Sequence, residues 1–113
     1  MKPAREALLL SAACALAYLS GTADIPFYTR GEPREGLVVR HMLQSGDWLV
    51  PARAADELAR KPPLYYWGAA AAMTAMPARP EMALRLPSAI CATAAVLGIW
   101  ATGRAAFGAA APQ

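Results

Sequence analysis

Arg60-Lys61-Pro62-Pro63 is the stretch of this sequence with the clearest chemical potential. Two cations stand directly before two prolines, whose fixed φ stiffens the backbone where a charged side chain would otherwise swing freely. A cation held in this way binds a phosphate and stabilises the negative charge that builds on a phosphate leaving group. Glu32 and Glu35 are the second element. They lie three residues apart near the start of an expected helix, where backbone N–H groups favour ionised carboxylates. Such a carboxylate beside an acceptor hydroxyl or amine can act as a base. Arg34 and Arg40 can pair with these acids or join a network that holds substrate. His41 is the single histidine, so a histidine-based metal site cannot be built, and no metal ligands are assigned. No phosphate-cradling glycine loop, Ser-His-Asp arrangement or repeat accompanies these groups. Solvation and helix capping account for any one of the charges taken singly. Trp48 and Trp67 add aromatic surface suited to stacking on a sugar or polyprenyl chain, or equally to anchoring at a membrane interface.

The elements that must position these groups follow from the apolar pattern. An uncharged run over 7–23, preceded by Lys2 and Arg5, predicts a first membrane-crossing helix with its basic end in the cytoplasm. A signal peptide cut after Ala23 is the competing reading, because Gly21-Thr22-Ala23 resembles a cleavage site. Residues 24–85 then form an extracytoplasmic loop. Within it a helix near 33–44 is expected from Pro33 at its start and Gly46 as its stop, and Leu37, Val38, Val39, Met42 and Leu43 make a broad apolar side. Lying along the membrane surface suits such a helix better than crossing it. Residues 52–59 read as a loop or short exposed helix. A further helix, near 63–76, starts at Pro63 with Tyr65, Tyr66 and Trp67 in its first turns. Pro77 and Pro80 bound a connector, and the uncharged run over 86–103 predicts a second span, in which Ala94, Gly98 and Thr102 form a seam for close packing.

The totals agree with a membrane setting. The chain has 113 residues, 57% of them hydrophobic and 17% charged, which is more apolar and less charged than an ordinary soluble domain. Its formal charge of +3 comes from scattered basic residues without a cluster, which argues against nucleic acid as a partner. Cys14 and Cys91 match no zinc or redox spacing and read as small apolar residues.

Four ordered blocks carry a resemblance to a known family: Glu32-Pro33-Arg34-Glu35-Gly36, then Arg40-His41-Met42-Leu43-Gln44-Ser45-Gly46-Asp47-Trp48-Leu49-Val50-Pro51, then Lys61-Pro62-Pro63-Leu64-Tyr65-Tyr66-Trp67, then Arg85-Leu86-Pro87-Ser88-Ala89. Together they resemble the start of the bacterial polyprenyl-phosphate-sugar glycosyltransferases, the aminoarabinose transferase of lipid A and its relatives, which are related more distantly to protein O-mannosyltransferases. The resemblance implies an all-α integral membrane protein of GT-C type, with this chain giving the first two transmembrane helices and the first periplasmic loop of a multi-pass enzyme of the bacterial inner membrane. It implies transfer of a sugar from an undecaprenyl-phosphate carrier to lipid A or another envelope acceptor, with membrane lipids as surroundings. By the same resemblance Glu32 is the catalytic carboxylate, standing in from one position along for the family's usual Asp and orienting or deprotonating the acceptor, and Lys61, with Arg60 and Arg40, binds the donor phosphate. Arg34, Glu35, Tyr65 and Trp67 are further substrate-binding residues. Two departures bear on this. Relatives commonly carry Asp-Glu where this sequence has Gly31-Glu32. Where relatives carry a Glu associated with a divalent metal this sequence has Arg60, so no cofactor is transferred.

Two spans are too little protein to exclude water from a transfer site, so the chain is expected to be catalytically incomplete by itself. The alternative from a different class is a nonenzymatic two-span membrane protein whose small-residue helices pack against a partner.

Overall fold

The computed structural model describes residues 2–21, 25–27, 31–54 and 56–108. Among them lie four helices, α1 (Pro3–Leu19), α2 (Gly31–Ser45), α3 (Pro63–Ala75) and α4 (Pro80–Phe107), and two short strands, β1 (Ala52–Ala54) and β2 (Glu57–Leu58). The chain divides into two compact units. One is 21–87; the other joins 1–20 to 88–113, so that α4 begins in the first unit and continues in the second.

In the 21–87 unit, α2 carries Pro33 in its first turn and stops at Gly46, whose φ of 74° is a left-handed conformation that glycine adopts without steric cost. The Gly46 N–H closes the end by donating to the Met42 carbonyl (3.0 Å). Asp47 then turns the chain, since its Oδ1 accepts from the N–H groups of Leu49 and Val50 (3.1 Å each). β1 and β2 pair antiparallel, Ala52 with Leu58 and Ala54 with Glu57, with an irregularity between the two pairs, and β1 lies against α2. α3 starts at Pro63, in the first helical turn, where a missing N–H costs no intrahelical bond.

The core follows from helical spacing. Val38, Val39 and Met42 of α2 meet Tyr66, Ala69 and Ala70 of α3 and Leu84 of α4, with Phe27, Ala59, Tyr65 and Met73 packed against them. The alanines let α2 approach α3 closely, and Met42 and Tyr66 fill the space so created. The apolar side expected over Leu37–Leu43 therefore splits. Val38, Val39 and Met42 pack on protein, while Leu37 and Leu43 remain exposed.

Pro87 lies inside α4, in the turn after Leu84, whose carbonyl accepts from the Tyr65 hydroxyl (2.9 Å). Gly68 of α3 faces it, and a Cβ there would stand 3.3 Å from the Pro87 Cγ. A rigid ring offers little room for relaxation. Gly68→Val is expected to destabilise this unit by about 2 kcal/mol, read as a lowered midpoint of chemical unfolding followed by helical circular dichroism in detergent.

The other unit is held by side chains. Glu6 of α1 accepts from the Trp100 indole Nε1 (3.3 Å) and from Arg104 Nη1 (2.8 Å), both on α4, and the Arg104 guanidinium stacks over the Trp100 ring. Cys14 is buried and Cys91 exposed, and both are free thiols.

This architecture corrects the expected two-span, all-α membrane fold. Among the described residues a single helix, α4 with 28 residues, is long and apolar enough to cross a membrane. α1 begins at Pro3 and so takes Arg5 and Glu6 into the helix, then ends at Leu19 before Gly21, whose φ is also 74°. Its uncharged part, Ala7–Leu19, spans roughly 20 Å, against a bilayer core of roughly 30 Å. Residues 22–24, the end of the expected first span and the site considered for cleavage, lie outside the described residues. The multi-pass arrangement falls with the two-span fold. The expected span over 86–103 is only the middle of a longer helix that starts at Pro80 and runs through Pro87. The expected loop or exposed helix over 52–59 instead contains the β1–β2 hairpin.

Candidate functional site

The polar residues of the 21–87 unit gather in two places. The first is a cavity of about 180 Å³ lined by Arg34, Glu35 and Val38 of α2, Arg53, Glu57 and Leu58 of the hairpin, Ala59, Arg60 and Lys61 of the segment that follows, and Tyr66 of α3. Packing of α2 on α3 brings residues thirty positions apart in sequence to one wall, and the hairpin closes another.

Within the cavity the acids are already engaged. Glu35 Oε1 lies 3.3 Å from Lys61 Nζ, and Glu35 Oε2 accepts a short hydrogen bond from the Tyr66 hydroxyl. Glu57 accepts from two nitrogens of Arg53 across the hairpin. Lys61 is held a second way, with its ammonium 5.2 Å from the centre of the Tyr65 ring. Arg34 and Arg60 have no carboxylate partner among the described residues. Four cationic and two carboxylate side chains line the cavity, so two positive charges remain uncompensated there. The volume is below the roughly 300 Å³ at which pockets for whole small molecules begin. It suits an anionic headgroup.

The second cluster is a latch. Arg85 Nε and Nη2 bind the two oxygens of Glu32 (2.8 and 2.9 Å), and the same guanidinium donates to the carbonyls of Ile25 (2.9 Å) and Pro26 (3.3 Å). This paired fork ties the start of α2 and the segment before it to α4.

Of the residues expected to act, Lys61, Arg60, Arg34 and Glu35 are thus brought together at the cavity. Glu32 lies in the Arg85 latch, away from the cavity wall. Arg40 is on an exposed side of α2 and does not line the cavity. Tyr65 supports Lys61 from behind, and Trp67 donates from its indole to the Trp48 carbonyl (2.7 Å), outside the cavity lining. Arg53, Glu57 and Tyr66 belong to the cavity without having been singled out by sequence. Tyr66 was within reach, because Tyr66, Ala69, Ala70 and Met73 make one helical stripe. Arg53 and Glu57 carried no strand signal, lying among alanines instead of β-branched residues. Among the described residues no group of His, Cys, Asp and Glu side chains gathers to hold a metal ion.

Burial raises the Tyr66 hydroxyl well above its ordinary value, and its bond to Glu35, which the phenolate would lose, raises it further. Tyr65 is raised as well, first by burial and then by the charges of Glu35 and Glu32. An unfolded tyrosine ionises at about pH 10. The stability contributed by the neutral Tyr66 is therefore full below that value and is lost as pH rises toward the folded value. The expected result is that two phenols titrate above the usual tyrosine range in absorbance near the phenolate band, and that Tyr66→Phe removes one of these late steps.

Comparison of the chain with protein-family models, curated proteins and solved structures finds no match. The functional reading therefore rests on the residues themselves.

Proposed function

We propose that this chain supplies the carrier-phosphate site of a membrane transferase that moves a sugar from a polyprenyl-phosphate donor to a cell-envelope acceptor, such as a lipid A phosphate, at the bacterial inner membrane. The observation that carries the reading is the convergence of Arg34, Arg53, Arg60 and Lys61 on one small cavity with two positive charges in excess. Charge explains why such a site would catalyse. A sugar-linked polyprenyl phosphate is a diester with one negative charge. In transfer, an acceptor oxygen bonds to the anomeric carbon, and the bond from that carbon to the phosphate oxygen breaks. The electron pair stays on the phosphate and any acceptor proton passes to water. The leaving group thus gains a second charge as the bond breaks, and a fixed excess of cations binds it more tightly than the starting diester.

Membrane association is supported by α4, which is long and apolar enough to cross a bilayer. Arg104 near its carboxyl end suits the cytoplasmic side.

The test is incorporation of labelled sugar from membrane polyprenyl-phosphate donors in cells that carry the natural reading frame or lack it. Transfer that disappears with the frame and returns with it supports the reading. Transfer that is indifferent to the frame overturns it.

A further inference from the structure

Glu35 is an unusual neighbour for an anion site. Its side chain is only 14% exposed and sits in the cavity wall, where its charge repels the anion that the surrounding cations attract. Its contacts give it another use. One oxygen holds the Lys61 ammonium at 3.3 Å, and the other is held in turn by the hydroxyl of Tyr66, the largest fully buried side chain of the core. Lys61 itself is 54% exposed and carries a long flexible stem, so without these partners its ammonium would spread over many rotamers. Pro62 and the first turn of α3 fix its backbone, the Tyr65 ring limits it on one side, and Glu35 limits it on the other. The chain of contacts runs from the core outward: Tyr66 orients Glu35, and Glu35 orients Lys61.

We propose that Glu35 is a positioning residue for Lys61, holding the ammonium where a phosphate leaving group develops charge and doing so at the expense of ground-state anion affinity. The inference rests on the anion-site reading of the cavity and goes beyond it, because it assigns opposite effects to one carboxylate. Removing its charge strengthens the binding of a resting anion while it weakens the stabilisation of the departing one.

Glu35→Gln separates these effects, since the glutamine carbonyl still accepts from Tyr66 and the fold is kept while the charge that holds Lys61 is lost. The full chain in detergent is titrated with inorganic phosphate by calorimetry, and sugar transfer is measured in membranes for the natural frame and its variants. Glu35→Gln is expected to bind phosphate about 3- to 10-fold more tightly, through loss of one nearby like charge. It is also expected to lower kcat about 10-fold with KM for the donor unchanged or reduced. Glu35→Asp, which keeps the charge on a shorter stem, should recover part of kcat and return phosphate affinity toward that of the parent. A Glu35→Gln protein that matches the parent in both measurements, or that loses phosphate affinity as Lys61→Ala does, overturns the positioning role while the anion site stands. A parent chain that binds no phosphate overturns the anion site and this role together.

Discussion

Lys61→Ala is expected to reduce sugar transfer by about 10²- to 10³-fold, an effect carried by kcat more than by KM. Lys61 is fixed from two sides, by Glu35 and by the Tyr65 ring, and fixed charges contribute more to a developing negative charge than mobile ones. Truncation leaves Arg34, Arg53 and Arg60 around the cavity, so the donor phosphate still binds, although less tightly. The fold should barely register the change. The Lys61–Glu35 pair is half open to solvent on the lysine side, and exposed pairs of this kind contribute about 0–1 kcal/mol. Arg79→Ala removes an equal charge from an exposed position outside the cavity, and it should transfer sugar within about twofold of the parent. Labelled-sugar incorporation at matched membrane abundance measures both. If the two variants lose activity alike, the effect is one of overall charge and Lys61 has no special place in the site.

Arg34, Glu35, Arg60 and Lys61 of the cavity stood out in the sequence, and what did not has identifiable physical causes. The end of α2 follows from Gly46 and the start of α3 from Pro62-Pro63, because glycine and proline act on the backbone locally, whereas α2 begins at Gly31, two residues before the Pro33 expected to start it. Lys61 and Arg60 stand out through the same prolines. The partners of Lys61 are another matter. That Glu35 and Tyr66 reach it depends on α2 packing against α3 through Ala69 and Ala70, a tertiary fact that spacing along one helix does not contain. The hairpin was hidden because Ala52, Ala54 and Leu58 have no strand preference strong enough to announce it. Pro87 misled in the opposite sense. The span was expected to begin at 86, just before it, yet α4 starts at Pro80 and runs through it, and Gly68 of α3 leaves space beside the ring. α1 shows how a run of apolar residues overstates a span. Composition marked residues 7–23, but the helix takes in Arg5 and Glu6 at one end, where Glu6 finds Trp100 and Arg104, and closes at Leu19 at the other.

The same tertiary facts bear on Glu32, whose role is decided by comparing two substitutions in the latch. Arg85→Met is expected to destabilise the 21–87 unit by about 3 kcal/mol, because it leaves the Glu32 carboxylate and the Ile25 and Pro26 carbonyls without the guanidinium that they share. The side chains are 18% and 30% exposed, so water recovers only part of the loss. Glu32→Gln is milder, since an amide oxygen still accepts one bond from Arg85, and about 1 kcal/mol is expected. Heat or denaturant unfolding in detergent reads both. Activity then separates the two roles open to Glu32. As a latch partner only, Glu32→Gln keeps transfer within about threefold of the parent and follows the small loss of stability. As a base that meets the acceptor, it loses about 10²-fold or more with the fold intact, and Arg85 must then release the carboxylate when substrate binds. The fork geometry favours the first outcome, because a carboxylate that accepts from two guanidinium nitrogens has both of its oxygens committed. A base has to offer one of them to a proton, and the cost of freeing it from Arg85 would appear as a higher barrier in every turnover.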